Sequence, residues 1–218
     1  EGSGLRWGGY AAASLRADGR LPWSRADGTL ALEASGVEAG VALDTLRIDA
    51  RGAVENLRLE AAARSEALGT LSLQGSARRR GSAWSGELAA LDLAPARGAT
   101  WRLQAPARYS VDGANWTLSR SCFAASDGGS LCADAQWPSR GLRVEGVQLP
   151  LALAAPYLPE REDGRSWALH GEIDLDGELR PAGSAWQGYL ALRSAEGGLR
   201  NSQRARSNLL QYRDLRLD

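Results

Sequence analysis

The chain has 218 residues, and its 26 basic and 26 acidic side chains give a formal net charge of zero. This balance excludes the positive field with which proteins bind nucleic acid or anionic membranes through charge. The length allows one large or two small domains, and no apolar run approaches the ~20 residues of a membrane-spanning helix. The absence of Met indicates a processed product or an internal fragment, and the first residues do not resemble a signal peptide.

Alternation of apolar and polar residues is the dominant pattern from residue 45 onward. Leu46 and Ile48 alternate with charged residues, and the same alternation runs through most of the segment Trp167–Gly177. A period of two is typical of a β-strand with one apolar and one solvated face. Comparable runs recur along the chain, so about fifteen or more short strands are expected.

Asp-Gly pairs lie between many of these runs. Because glycine reaches positive φ without strain, this dipeptide between alternating segments predicts a hairpin turn. The pairs are Asp18-Gly19, Asp27-Gly28, Asp112-Gly113, Asp127-Gly128, Asp163-Gly164 and Asp176-Gly177. Turns at such spacing predict an all-β sandwich, barrel or extended sheet.

Few segments favour a helix. The strongest candidate is the apolar segment Leu149–Glu160, in which Pro156 limits a helix to about two turns. The segment 201–218 is ambiguous, because its start could be helical whereas its end, from Leu210 to Leu217, resembles a strand with a bulge.

A weak internal repeat relates residues 81–93 to residues 183–199. Both copies contain Gly-Ser-Ala-Trp-x-Gly-x-Leu, and a repeated strand unit suggests that each unit packs mainly on its neighbours. Tryptophan is expected at the head of several strands, where it would anchor core packing, with ligand contact as the alternative. These tryptophans are Trp84, Trp101, Trp116, Trp167 and Trp186.

No constellation of side chains predicts a catalytic or metal centre. His170, the only histidine, lies on the polar side of its run and is expected to be exposed, and one His with two Cys cannot supply a four-ligand zinc set. The acids from Glu172 to Glu178 lack the spacing of a calcium loop and predict a solvated strand face. Arg78–Arg80 predicts a loop or a charged cap on a strand edge, where charge discourages aggregation between sheets. We therefore expect no enzyme activity, no metal, no cofactor and no nucleic-acid partner.

The two cysteines, Cys122 and Cys132, could be metal ligands, a redox pair or a disulfide across a hairpin. Too few further ligands accompany them for a metal site, and their spacing differs from Cys-x-x-Cys. A turn centred on Asp127 would place them opposite each other, with a Cα separation of ~4.5 Å that a disulfide tolerates. This arrangement predicts a cross-strand disulfide and an oxidising compartment.

The register of this hairpin contains one conflict. Leu118 and Cys122 are an even number of residues apart and would lie on the same side of their strand, whereas Leu131 and Cys132 are adjacent and would lie on opposite sides of theirs. The apolar residues of the two strands would then face opposite sides of the hairpin. We therefore expect either a bulge between Leu118 and Cys122 or a register that differs by one residue.

The order of features along nearly the whole chain resembles the TamB family, the inner-membrane-anchored subunits of the bacterial translocation and assembly module. The features are Trp-x-Gly-x-Leu, the segment Trp101–Trp137 with its cysteine pair, Leu-Pro-Leu at 149–151, Leu-x-Gly-x-Ile-x-Leu-x-Gly at 169–177, and a second Trp-x-Gly-x-Leu. The resemblance implies that residues 1–218 form a single segment of a long periplasmic β-stranded region.

The resemblance also implies the architecture and partners of this segment. The expected fold is all-β: an elongated, curled antiparallel sheet that forms an open, taco-like groove with an apolar interior and at most one or two short helices. The full-length protein would be anchored in the inner membrane by an N-terminal segment absent here, and would work with a TamA-like outer-membrane partner of the Omp85 family. The family is associated with assembly of outer-membrane β-barrel proteins and autotransporters, and with phospholipid transport between the two membranes.

The alternating strands fit this architecture independently. One-sided strands must bury their apolar face; a closed sandwich would do so internally, whereas a curled sheet would leave a trough for acyl chains. The residues expected to line the trough are Leu46, Ile48, Leu57, Leu59, Leu71, Leu73, Leu91, Leu93, Trp101, Leu103, Tyr109, Val111, Trp116, Leu118, Leu142, Val144, Trp167, Leu169, Ile173, Leu175, Leu190 and Leu192.

Two functional hypotheses use this same surface. The first is a hydrophobic conduit for phospholipid, and the second is a chaperone-like groove or sheet edge that holds β-strand clients by strand addition. A third hypothesis, a closed β-fold that binds or cleaves carbohydrate, would need paired carboxylates at a fixed separation, whereas the acids here are dispersed along the chain.

Overall fold

The computed structural model describes residues 2–21, 26–159, 167–183, 185–202, 205 and 207–217. Within them the chain forms fifteen strands and one 3-10 helix, Leu151–Tyr157. The strands are β1 (Gly2–Trp7), β2 (Tyr10–Arg20), β3 (Gly28–Glu38), β4 (Ala42–Ala53), β5 (Asn56–Ser65), β6 (Gly69–Arg80), β7 (Ala83–Pro95), β8 (Trp101–Leu103), β9 (Ala107–Asp112), β10 (Asn115–Ala125), β11 (Ser130–Trp137), β12 (Gly141–Pro150), β13 (Ala168–Ala182), β14 (Ala185–Arg200) and β15 (Leu210–Leu217).

The described strands form one antiparallel sheet. Neighbours follow chain order from β1 to β15, except that β9 pairs with β7 and β10. The predicted all-β class and antiparallel pairing are confirmed, and so is the small helical content of the described residues. The strands are longer than expected, because ten of those described contain ten or more residues.

The chain divides into two compact units. Unit 1 comprises Glu1–Ala96 and Ala105–Thr117, and unit 2 comprises Arg97–Gln104 and Leu118–Asp218. Strands β1–β7 and β9 belong to unit 1, β8 and β11–β15 belong to unit 2, and β10 contributes residues to both.

Two predicted Asp-Gly turns are confirmed. Residues 112–113 connect β9 to β10, and residues 127–128 connect β10 to β11. Asp27-Gly28 lies at the start of β3, and Asp163-Gly164 lies outside the described residues.

Two other Asp-Gly predictions are wrong. Asp18-Gly19 lies inside β2 and Asp176-Gly177 lies inside β13. In β13 the glycine makes room for a facing side chain, because a Cβ on Gly177 would lie 3.1 Å from Leu190 Cδ1 on the paired strand. The dipeptide therefore supports close strand packing at these positions instead of a turn.

The segment predicted as a short helix is confirmed. The 3-10 helix has seven residues, and Pro156 lies inside it. The Tyr157 hydroxyl donates a hydrogen bond to the Arg97 carbonyl oxygen at 2.8 Å, which connects the helix to the segment before β8. No helix in the described part of the chain has the length and apolar content needed to cross a membrane.

The end of the chain is a strand, as its alternation predicts. β15 pairs with β14 from Leu210 to Leu217, and the described residues of 201–209 form no helix. Asp214 has φ 52°, and the less exposed positions change phase there, from Tyr212 to Leu215. The register against β14 is the same on both sides of Asp214, so the expected bulge is not present as an inserted residue.

The tryptophans lie at strand heads, as predicted. Trp84, Trp101, Trp116 and Trp186 occupy the first or second position of their strands, and Trp167 precedes β13. Trp186 does not anchor a core, because it is 62% exposed and stacks on Trp137 with ring centroids 4.8 Å apart. The prediction of core packing is therefore wrong for this residue.

Candidate functional site

Strand register brings the predicted apolar residues of unit 1 onto one side of the sheet. Ile48 lies opposite Ala61, Ala61 lies opposite Leu73, and Leu73 lies opposite Leu91. We call this surface the unit-1 face. Its larger members are Leu15, Leu30, Leu32, Leu46, Ile48, Leu57, Leu59, Leu71, Leu73, Trp84, Leu88, Leu91, Leu93, Tyr109 and Val111.

Trp116 belongs to the same side. The hydroxyl oxygens of Ser110 and Thr117 lie 2.7 Å apart, so these two residues share the other side of β9 and β10. Because successive residues of a strand alternate, Trp116 lies on the side of Val111. This agrees with its predicted place among the apolar residues.

Other described residues cover the unit-1 face incompletely. Leu57 is buried, but Leu71, Leu93 and Val111 are 36%, 37% and 42% exposed, and the other larger members are half-buried. Among the described residues of the whole chain, seven of the twelve buried hydrophobic residues are alanines. The large apolar side chains therefore keep part of their surface available for contact.

Tyr109 fixes the packing at one end of the unit-1 face. Its hydroxyl donates a hydrogen bond to the Ser76 carbonyl oxygen at 3.1 Å, and a Cβ on Gly86 would lie 2.7 Å from the same hydroxyl. The ring thus lies against Gly86, where a side chain would obstruct it. Burial raises the pKa of Tyr109, because the charged form loses hydration.

Charged residues occupy the opposite side of unit 1. Arg47 donates a 2.8 Å hydrogen bond to Asp49 and lies 3.5 Å from Glu33. The hydrogen bond to Arg47 lowers the pKa of Asp49. The Arg47 and Glu33 side chains are 61% and 56% exposed. The sheet of unit 1 therefore has one apolar and one charged side, as the period of two predicts.

Unit 2 has a corresponding apolar surface. Val144 lies opposite Gly177, Gly177 lies opposite Leu190, and Leu175 lies opposite Leu192. We call this surface the unit-2 face. Its larger members are Trp101, Leu103, Phe123, Leu131, Leu142, Val144, Leu149, Leu169, Ile173, Leu175, Leu179, Trp186, Leu190 and Leu192.

The unit-2 face is deepest near Leu149 and most open near Trp186. Leu149 is buried, and a Cβ on Gly146 would lie 2.6 Å from its Cδ1, so the leucine fills the space above this glycine. Leu179 and Leu190 are 41% and 56% exposed. The predicted residue Trp167 lies outside the strands, where its indole nitrogen donates a hydrogen bond to the Pro159 carbonyl oxygen at 2.9 Å.

The disulfide between Cys122 and Cys132 is confirmed, with a Cα separation of 4.0 Å. Cys132 lies opposite Glu145, whereas its neighbour Leu131 lies opposite Gly146 on the unit-2 face. The disulfide therefore lies on the charged side of unit 2, which explains why its parity differs from that of the apolar residues of β11.

The parity conflict of this hairpin is resolved in β10. Leu118 is half-buried, Ser119 and Arg120 are both exposed, and Ser121 is buried. The alternation therefore changes phase between Leu118 and Ser121, inside the interval in which a bulge was expected. After this change Phe123 lies opposite Leu103.

Ion pairs cover the charged side of unit 2. Arg120 lies 2.6 Å from Glu145, and Arg143 lies 3.0 Å from Asp176. Tyr189 also donates a hydrogen bond to Asp176. This hydrogen bond, followed in size by the hydrogen bond from Arg143, lowers the pKa of Asp176. The acids of β13 thus form a hydrated strand face with local partners, as predicted.

His170 differs from its prediction, because it is half-buried. Its Nδ1 atom is buried and has no hydrogen-bond partner among the described residues. A Cβ on Gly198, which lies opposite His170, would be 2.7 Å from the ring. The glycine leaves a space that the imidazole fills, and this could not be seen before the register was known.

The chain matches the family model described as TamB, N-terminal domain, over residues 1–218. The chain belongs to the TamB family. No curated protein matches it significantly, and no solved structure does. Membership of the TamB family implies involvement in the translocation and assembly module of the cell envelope, with the module's outer-membrane partner. TamB is a transport and assembly family and is not a known enzyme family.

Several members of the unit-1 face and the unit-2 face were not among the residues predicted to line a trough. Leu30 and Leu32 show a clear alternation that could have identified them. Phe123 and Leu131 required the disulfide register, and Leu149 required the irregularity between Gly146 and Leu149. Register is a property of strand pairs, so it is only partly visible in a single sequence.

Proposed function

We propose that the unit-1 and unit-2 faces bind phospholipid acyl chains. In this proposal residues 1–218 are one groove segment of a periplasmic conduit that carries phospholipid between the inner and outer membranes. The conduit acts with a TamA-like outer-membrane partner of the Omp85 family and supports assembly of outer-membrane β-barrel proteins and autotransporters. The observation that supports it best is the row of apolar side chains that crosses adjacent strands and remains partly exposed.

The distribution of charge supports the same proposal. Transfer of acyl chains from water onto an apolar surface is favourable by roughly 25 cal/mol per Å² of buried apolar area. The two faces offer such a surface, and their named members are apolar side chains. The opposite sides carry ion pairs such as Arg47–Asp49 and Arg143–Asp176, which favour contact with water. The disulfide supports the periplasmic location, because such bonds persist in oxidising compartments.

A second candidate function is the holding of β-strand clients. In the described sheet β15 has one neighbour, β14, and its Leu210 and Leu217 are 61% and 51% exposed. A strand with unpaired backbone groups can template an added strand. This surface favours a polypeptide client over a lipid.

Photocrosslinking in the full-length protein tests the lipid proposal. Photoreactive residues at Leu46, Leu71 and Leu175 are expected to capture phospholipid in cells, whereas the same residues at Arg47, Arg58 and Asp174 are not. Leu46 and Arg47 are neighbours in β4, Leu175 and Asp174 are neighbours in β13, and Leu71 and Arg58 lie on the paired strands β6 and β5. The two sets therefore sample opposite sides of the same parts of the sheet. Equal lipid capture from both sets would refute the conduit, and peptide adducts that added lipid does not displace would favour client holding.

A further inference from the structure

Arg79 lies on the apolar side of unit 1. It is the member of Arg78–Arg80 that pairs with Trp84, and Trp84 pairs with Val111. The register is regular from Ala77 to Arg80, so Arg79 shares the side of Ala77 and Leu57. The sequence had predicted only a loop or a charged cap on a strand edge for this triplet, whereas the structure divides the triplet between the two sides of the sheet.

The position of Arg79 on the unit-1 face is at one end of the apolar rows. Along β6 the residues on this side are Leu71, Leu73, Gly75, Ala77 and finally Arg79. A strand rises about 3.3 Å per residue, so roughly 26 Å separate the first from the last. One leaflet of a bilayer has a hydrocarbon depth of about 15 Å, so an acyl chain that starts at Arg79 would fit along this row.

The side chains at this end have the chemistry of a membrane interface. Trp84, directly opposite Arg79, combines an apolar ring with an N–H donor. Arginine can bury its aliphatic stem against apolar neighbours while its guanidinium remains hydrated, and Arg79 is half-buried. Its planar guanidinium offers two parallel donors to a phosphate, a geometry that lysine cannot reproduce.

We propose that Arg79 binds the phosphate of a phospholipid whose acyl chains lie on the unit-1 face. This inference rests on the proposed function and adds a headgroup site to it. Charge complementarity selects the ligand: a single cation at the end of an otherwise apolar row matches a lipid with one phosphodiester at the end of its acyl chains. Arg79 also makes an interaction within the chain, which the phosphate would join or replace.

The neighbouring arginine provides a matched control. Arg78 pairs with Ser85 on the charged side of the same strand pair, and it is exposed. Arg78→Gln and Arg79→Gln remove the same charge, one residue apart, from opposite sides of β6. Arg79→Lys keeps the charge without the two parallel donors.

The test compares two photoactivatable probes with identical acyl chains, phosphatidylglycerol and diacylglycerol, each carried in micelles of a neutral, phosphate-free maltoside detergent and offered to the full-length protein. Adducts are quantified by mass spectrometry against probe concentration. Arg79→Gln is expected to raise the half-saturating concentration of phosphatidylglycerol about tenfold, the loss expected for one charge-assisted contact. It should leave diacylglycerol capture unchanged, which also shows that the variant is folded. Arg78→Gln should leave both probes unchanged, and Arg79→Lys should fall between Arg79→Gln and the natural protein.

Each other outcome overturns a defined part of this scheme. If the natural protein captures both probes and Arg79→Gln does so with unchanged affinity, or if both arginine variants weaken phosphatidylglycerol capture equally, the phosphate site is refuted while the acyl-chain proposal stands. If Arg79→Gln weakens both probes equally, its effect lies in the apolar face and the phosphate site is again refuted. If the natural protein captures neither probe, the proposed function itself fails and the phosphate site fails with it.

Discussion

Two glycines show how single residues set the spacing of this sheet. In the two copies of Trp-x-Gly-x-Leu, Gly86 lies opposite Ala77 and Gly188 lies opposite Leu179. A Cβ at either glycine would run into the backbone carbonyl oxygen of the residue that precedes the facing one. The repeat found in the sequence is therefore a structural repeat, in which the glycine permits close approach of two strands.

Gly86→Ala is expected to lower the free energy of unfolding by about 1–3 kcal/mol, the usual cost of overpacking. The added methyl group would meet both the paired backbone and Tyr109. Urea unfolding followed by tryptophan fluorescence measures the change. Gly9→Ala is the control, because its Cβ would meet no atom within 4 Å, and it should shift stability by less than about 0.5 kcal/mol. Equal effects of the two substitutions would contradict this assignment.

The strands themselves could be predicted to a large extent from the period of two. Alternation correctly placed residues such as Leu46, Leu73 and Leu175 on apolar sides, and it located the phase change of β10. Strand length could not be predicted. Asp176-Gly177 has the sequence of a turn and would have ended the strand, but both residues pair with β12 and with β14 inside β13. The choice between turn and strand at this dipeptide depends on whether a facing side chain needs the space.

The hairpin of β10 and β11 is expected to lose stability when its disulfide is removed. Replacing both cysteines, as Cys122→Ser with Cys132→Ser, should lower the free energy of unfolding by up to about 2.8 kcal/mol, the chain-entropy value for a loop of roughly eleven residues. Thermal unfolding with and without dithiothreitol measures the effect. Reductant should lower the midpoint of the natural protein toward that of the double variant and leave the double variant unchanged; no response in either protein would contradict a stabilising role.

At the scale of the whole molecule, the sequence predicted the apolar character of both units but not the ends of their faces. The open end of the unit-2 face at Trp186 and the cation at the end of the unit-1 face both arise from pairing across hairpins, where Trp186 lies opposite Pro181 and Arg79 lies opposite Trp84. Which residues lie at the ends of a face depends on the pairing register between strands, and the alternation within a single strand does not specify that register. The proposed function uses both faces, so the two faces must be tested together.

A conduit predicts that the two faces act in series. Leu71→Asp in unit 1 and Leu190→Asp in unit 2 place a charge at exposed positions of the two faces, so folding should tolerate them. Each should reduce phospholipid transfer between the membranes several-fold, and the double variant should be little worse than either single one. Ala62→Asp, opposite Arg47 on the charged side, is the control and should have no effect. Independent sites would instead give losses that multiply, which pulse-labelled lipid transfer would distinguish.

The position of the disulfide has a consequence for how the chain matures. Its two cysteines are ten residues apart within a single hairpin, and the described chain has no free cysteine. Within residues 1–218 oxidation therefore has one possible intramolecular product. A chain exported from its N-terminus can close this bond as soon as the short loop emerges, long before the strands that follow it are available. The register of β10 against β11 would then be set early, and each later strand could add to an edge whose alignment is already fixed.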